Sequence, residues 1–409
     1  MFKRLISFEE AVNSIKDHCP LKPVGIESVL LREASGRVLA EDVISDLDIP
    51  PFDRSTVDGY AVRSEDTYGV DDENPKVLKI CGEIKIGETP RVSVRVGEAA
   101  QIPTGAPIPE GADAVVMVEY TVTRKDRVEV FRPVYRGENI MRKGTDVSKG
   151  ELVLKRGETL TPAYIGVLAA IGKERVNIYA RPKIAILSTG PEIVVPGKPL
   201  PYGKIYDINS YTLATAAKEV GCEVVYVAVV PDEESKIEKE LKRALEKADV
   251  VLTSGGVSVG PMDLLPKVLS RLSGKELVFS GVAIKPGKPT TFAVIEGKPV
   301  FSLPGHPTSA LTIFYLFVRP LLLRLMGREA EAFKVVKANA GLKMFPAKGR
   351  RTFVMVKLLK KEDNLIAYPV PTGQSGAITT LAKADGFVII HEKRQFISEG
   401  EEVEVHLFS

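Results

Sequence analysis

Three stiff turns in this sequence combine residue types that bind anions. The first, Gly255-Gly256-Val257-Ser258-Val259-Gly260, follows the apolar run DVVLTS and precedes a helical pattern that includes Asp263. Glycine tolerates positive φ, so successive backbone N–H groups can converge on one point, and the positive end of a helix adds to their pull. Phosphate is the obvious guest. The same residues spell G-x-S-x-G, which opens a second chemistry with Ser258 as nucleophile and Asp263 and His306 as partners. Against it, Ser254-Gly255 before the motif and Pro261 after it disturb the sharp elbow that a nucleophilic serine needs.

The second turn, Lys285-Pro286-Gly287-Lys288-Pro289, puts two cations beside a glycine between prolines. Ammonium groups held close repel unless an anion sits between them, so a rigid backbone here implies a multiply charged ligand. It is not a Walker motif, because the first glycine is missing and Pro289 stands where a hydroxyl is needed. In the third turn, Pro304-Gly305-His306 leads into a helix whose start can bind an anion, with His306 as a donor. Glu192, Asp207 and Asp263 stand at strand ends, and one or two carboxylates beside phosphate oxygens are what Mg²⁺ usually takes. Two further polar loops, residues 51–61 with Asp53, Arg54 and Asp58 and residues 101–107 with Thr104, lie in an all-β stretch.

Elements that would position these turns can be read from the patterning. Ser7 and Glu10 have the spacing of a capping box, so a helix starts there and Pro20 closes it. Residues 46–149 read as an inserted β domain with strands at VLKI, VSVRV, AVVMV and VEVFRPV. Residues 1–45 and 150–180 flank it as a discontinuous domain, whose N-terminal helix is able to pack elsewhere. From 181 to 327 apolar strands alternate with amphipathic helices, which implies an α/β domain with a parallel-rich sheet and ligands at the carboxyl ends of its strands. TTFAVI and KPVFSL form a hairpin about Glu296-Gly297, appended to that sheet. Residues 328–409 read as a closing β-barrel with strands VMVKLL, LIAYPV, GFVIIH and EEVEVHLF.

Over 409 residues the formal net charge is only +3, which excludes a strongly basic polymer binder and places any anion site locally. Cys19, Cys81 and Cys222 and the four histidines lack paired ligand spacing, so neither structural zinc nor a disulfide framework is expected. The start carries no secretory pattern, and TIFYLFVRPLLLRLMG is broken by Arg319, Pro320 and Arg324, which makes it a buried helix rather than a membrane span. A cytoplasmic setting without membrane or nucleic-acid partners is expected. Scarce Gln and Asn beside abundant Lys and Glu suit a protein from a hot environment.

As a set, PFDRSTVDGYAVR, PTGAPIPEGADAVVMVE, GENIMRKGTDV, STGPEI, IYDINS, TSGGVSVGPMD, KPGKP, LPGHPTSA and KGRRTF resemble, in order and over nearly the whole chain, the molybdopterin molybdenumtransferases of the MoeA and gephyrin E-domain family. The resemblance implies a multidomain α/β plus β fold: an inserted β domain, an α/β molybdopterin-binding domain, a C-terminal β-barrel and an elongated linker and dimerisation domain. It implies insertion of molybdate into adenylylated molybdopterin with Mg²⁺-dependent release of AMP, tungstate being the alternative oxyanion. By the same analogy Gly255, Gly256, Ser258, Lys285, Pro304, Gly305 and His306 bind the pterin cofactor. Lys285, Lys288, Arg350 and Ser375 surround the oxyanion. Asp58, Thr104, Glu192, Asp207 and Asp263 are catalytic, with Glu192, Asp207 and Asp263 as metal ligands. Arg350 fits the pattern better than Arg351, and the sequence departs from many relatives at Arg54, Gly281 and His306. A homodimer with its active site at the subunit interface is implied, with an upstream molybdopterin adenylyltransferase as a further partner. The alternatives are a non-catalytic molybdopterin-binding scaffold, as in a relative that clusters proteins, and the Ser258 hydrolase.

Overall fold

The computed structural model describes residues 5–19, 22–256, 264–329, 333–370 and 379–408. Its contacts separate two units, one running to Glu27 and resuming at Tyr179, the other Ser28–Ile178.

In the first unit, four strands lie parallel in the spatial order Glu223–Val230, Lys183–Thr189, Val250–Ser254, Lys298–Leu303. The two central strands carry the apolar runs IAIL and VVL, and all but Lys183 of their residues are buried, as a sheet covered on both faces requires. Helix Asn209–Val220 and the segment 307–325 cover one face through a core that includes Leu213, Phe301 and Phe314. Helices Glu234–Lys247 and Leu264–Ser273 cover the other. Ile237, Leu241, Ala244 and Leu245 recur at helical spacing and form the buried stripe of Glu234–Lys247.

The hairpin falls where expected. Glu296 and Gly297, both at positive φ (53° and 76°), form the two-residue turn that matches strand twist. It is more than an appendage, because Lys298–Leu303 extends the parallel sheet while Thr291–Ile295 and Phe279–Ser280 finish it antiparallel. The 19-residue segment Pro307–Leu325 is long and apolar enough to cross a membrane by length and composition, yet Phe314, Phe317, Val318, Leu321 and Leu322 are buried in the core. It contains a π-turn at Phe314–Val318, next to Pro320, which has no N–H to donate to the helical ladder.

The N-terminal helix Phe8–His18 carries the complete capping box: the Ser7 N–H donates to Glu10 Oε2 at 2.7 Å, and the Glu10 N–H donates to Ser7 Oγ at 3.1 Å. Its Ala11 and Ile15 join the core of the α/β sheet, and the Phe8 ring lies 5.3 Å from Phe317 and 5.7 Å from Phe353. At the C-terminal end, strands Arg351–Lys361, Asn364–Pro369, Val335–Ala340, Glu402–Leu407 and Gly386–Ile390 pair in that order, and the last pairs back on the first to close a five-stranded barrel. Val335–Ala340 was not expected as a strand; the polar Lys337 and Asn339 interrupt its apolar pattern. Nor was the short Ile284–Lys285, which pairs parallel with Arg351 and Thr352.

The second unit holds a six-stranded sheet in the order Ala114–Met117, Gly59–Val62, Glu98–Ile102, Lys76–Glu83, Arg127–Val130, Thr121–Arg124. The expectation of a strand at VSVRV fails. Residues 92–96 are irregular, and the Val94 N–H bonds to the Glu110 carbonyl at 2.8 Å instead of to a ladder. Glu98–Ile102, with Ala99, Ala100 and Ile102 buried, takes the central place.

Candidate active site

The chain leaves Thr189 for the strand on one side of it and returns for the strand on the other, so a crevice opens at the carboxyl ends of Lys183–Thr189 and Val250–Ser254. Two glycines let the turn after Ser254 lie directly on Thr189. A Cβ on Gly255 (φ +94°) would fall 2.0 Å from the Thr189 carbonyl oxygen; one on Gly256 (φ +63°) would fall 3.1 Å from Thr189 Oγ1 and 4.0 Å from Asp232 Oδ1. The third turn packs against the first. The Gly255 N–H donates to the Leu303 carbonyl at 3.4 Å, Ser254 Oγ donates to the Pro304 carbonyl at 3.3 Å, and a Cβ on Gly305 would lie 3.6 Å from the Gly255 Cα.

Asn209, the first residue of its helix, ties both turns together. Its Nδ2 donates to Ser254 Oγ and to the Gly305 carbonyl, each at 2.7 Å. Asn209 Oδ1 and Asp232 Oδ1 are buried with no hydrogen-bond partner among the described residues. A buried acceptor left unsatisfied costs about 1–3 kcal/mol, so both oxygens favour a guest that brings a donor or a cation. Neither residue was singled out as a ligand contact in the sequence. Asn209 sits inside IYDINS, where Asp207 drew attention. Asp232 stands just ahead of helix Glu234–Lys247, whose cap is Glu233.

Asp207 is buried and heavily bonded. Its Oδ1 accepts from Ser188 Oγ at 3.0 Å and the Ser210 N–H at 3.1 Å, and its Oδ2 accepts from Ser210 Oγ. One acceptor position remains, on Oδ2. The exposed Glu192 curls back, with a carboxylate oxygen 2.6 Å from where a Gly190 Cβ would be. Among the described residues no three His, Cys, Asp or Glu side chains cluster as a metal site. His306 caps Pro307–Ile313 through its backbone, its carbonyl accepting from the Ala310 N–H at 2.9 Å, and its side chain makes no capping bond. Ser258, Asp263 and Ser375 lie outside the described residues.

The cationic turn is fixed by its own backbone. Thr290 donates through its N–H (3.1 Å) and its hydroxyl (2.7 Å) to the Gly287 carbonyl, and the Val282 N–H donates to the Lys288 carbonyl at 2.9 Å. Gly287 (φ +110°) packs so closely that a Cβ would meet Ile313 Cδ1 at 2.3 Å. Lys285 is exposed and pairs with Thr352. Arg350 lies just ahead of strand Arg351–Lys361, in a turn where its N–H donates to the Ala347 carbonyl at 3.1 Å. The Arg351 guanidinium is committed elsewhere: it pairs with Glu9 and with Glu392 (3.3 Å), and lies 5.2 Å from the centre of the Phe8 ring.

In the second unit, Asp58 Oδ1 accepts from the Thr104 N–H at 2.7 Å and the Thr104 hydroxyl at 3.0 Å. These two bonds, the backbone one foremost, hold the Asp58 carboxyl below the usual carboxylate range. Asp53 takes Arg142 at 2.6 Å and the Lys143 N–H at 2.8 Å, while Arg54 Nη2 reaches Met141 Sδ at 3.3 Å.

Residues 6–172 match the MoeA N-terminal region (domain I and II), residues 185–324 a probable molybdopterin binding domain, and residues 337–408 the MoeA C-terminal region (domain IV). Molybdopterin molybdenumtransferase of Haemophilus influenzae is 35% identical over 408 residues, 99% of either chain. The Staphylococcus aureus protein of the same name is 34% identical over 403 residues, covering 98% of this chain and 95% of its own. Two solved molybdopterin biosynthesis MoeA structures from Pyrococcus horikoshii cover 99% of the chain and 100% of their own, at 42% identity with TM-score 0.88 and at 34% with 0.82. Agreement of this extent in sequence and fold places the chain in the molybdopterin molybdenumtransferase family.

Proposed function

We propose that the protein works in molybdenum cofactor biosynthesis, inserting molybdate or tungstate into adenylylated molybdopterin and releasing AMP. The observation that carries this reading is the crevice in which Gly255 and Gly256 lay the turn after Ser254 on Thr189 and Gly305 lies against Gly255, beside two buried acceptors that have no partner among the described residues. Backbone N–H groups at such strand ends suit phosphate. Lys285, Lys288 and Arg350 take the tetrahedral dianion, because charge-assisted hydrogen bonds can replace its hydration. Ser375 completes that shell by family analogy, as Ser258, Pro304, Gly305 and His306 do for the pterin.

By family analogy Mg²⁺ would be held by carboxylates drawn from Glu192, Asp207 and Asp263 together with substrate oxygens, Asp207 through its one remaining acceptor position. When bound, Mg²⁺ would neutralise charge on the phosphate oxygens and so improve AMP as a leaving group. Asp58, kept ionised by Thr104, stays an acceptor at neutral pH. The working unit is a homodimer, supplied by a molybdopterin adenylyltransferase.

The test is to incubate purified protein with adenylylated molybdopterin, Mg²⁺ and molybdate or tungstate in competition. AMP and active cofactor are expected; absence of both rules the reading out. Lys288→Ala should weaken oxyanion use more than pterin binding, and Asp263→Asn should slow AMP release; equal loss of all steps contradicts separate roles.

A further inference from the structure

We infer that Asn209 is a specificity-determining contact: its side-chain carbonyl accepts a hydrogen bond from an N–H or O–H donor on the organic part of the bound nucleotide-tagged pterin. This rests on the function proposed above. A side-chain amide has two donor hydrogens and one acceptor oxygen. Asn209 directs Nδ2 at Ser254 Oγ and at the Gly305 carbonyl. A carbonyl only accepts, so the nitrogen must face Gly305 and the flipped amide is excluded. Ser254 Oγ gives its own proton to the Pro304 carbonyl, so it too must accept from Asn209.

Oδ1, on the same carbon as that nitrogen, is thereby held beside the two turns, in a residue only 7% exposed, with no donor among the described residues. Buried Leu213, Ala216 and Ala217 anchor the helix that carries it. Molybdate, tungstate and phosphodiester oxygens bring no hydrogen to satisfy this oxygen, and the Mg²⁺ of the proposed site is assigned to carboxylates. The pterin ring N–H and amino groups do, and so do the adenine amine and sugar hydroxyls of the nucleotide. Asn209 is therefore indifferent to the phosphates and reads the rest of the ligand.

The test is calorimetric titration of the wild-type protein and Asn209→Ala with AMP, 6-hydroxymethylpterin and pyrophosphate, alongside the kinetics of AMP release. Asn209→Ala should bind the probe that carries the donor roughly tenfold or more weakly and pyrophosphate with unchanged Kd; the probe that loses affinity names the source. In the kinetics KM for adenylylated molybdopterin should rise with kcat little changed. Should Asn209→Ala not fold, Ser254→Ala loosens the amide while keeping its carbonyl, and a smaller loss confined to the same probe is expected. Equal loss for pyrophosphate, or no loss for either organic probe, overturns the assignment. An Asn209→Ala enzyme with unchanged kinetics defeats this contact and leaves the transferase reading intact; a wild-type protein that releases no AMP defeats both.

Discussion

At the scale of single residues, Asp58 and Thr104 offer a titration with a definite sign. The Asp58 carboxyl is depressed by two hydrogen bonds that form only in the folded chain, so the stability they give is present at neutral pH and is lost as pH falls through the depressed value. Thr104→Val removes the hydroxyl bond and keeps the backbone one, so the Asp58 titration followed by carboxyl ¹³C NMR should move part of the way toward the ordinary carboxylate value of about 3.9. An unmoved curve would mean that the hydroxyl contributes nothing. The cysteines give a second check. Burial pushes the thiols of Cys19 and Cys222 up to about 12, whereas Cys81 is only partly buried, so a thiol reagent should label Cys81 first in the native protein. Sequence made the charged residues legible because Lys285, Lys288 and Asp207 stand in turns that advertise themselves. It was silent on Asn209 and Asp232, since an unsatisfied acceptor is a property of what surrounds a residue.

Among the elements, the Gly255 turn is the most exacting. Gly255→Ala would drive a methyl into the Thr189 carbonyl as well as strain a left-handed backbone. The loss should exceed the roughly 1–2 kcal/mol of the backbone term alone and should abolish ligand binding. Gly274→Ala is the control, because Gly274 has φ +62° but open space where its Cβ would go. Thermal or urea unfolding that ranks the two variants equally would mean the turn is not pressed on Thr189. At the other end of the chain, Ser7→Ala breaks the capping box and should cost about 0.5–2 kcal/mol. The box and the Glu296-Gly297 hairpin were readable because local chemistry decides them. VSVRV was not, since a run of valines fits a strand or a loop equally and pairing by Glu98–Ile102 settled the matter. Val335–Ala340 shows the converse, a weak local pattern recruited by barrel closure.

For the molecule as a whole, a dimer is expected, so sedimentation should give twice the mass of the chain, and a monomer at micromolar concentration would remove that part of the proposal. The composition is matched by a surface ion network in which Arg271 pairs with Glu234 and Glu238 and Glu238 also holds Lys242, the kind of feature that gains weight as temperature rises. Calorimetry should place unfolding above the roughly 45–65 °C typical of mesophilic domains. The central claim is that the stiff cationic turn and Arg350, just ahead of strand Arg351–Lys361, receive a doubly charged metal oxide. Anomalous diffraction from a tungstate-soaked crystal tests it most directly: a tungsten peak within hydrogen-bonding reach of Lys285, Lys288 and Arg350 is the expected result, and a peak only elsewhere, with those three side chains turned to solvent, would contradict it.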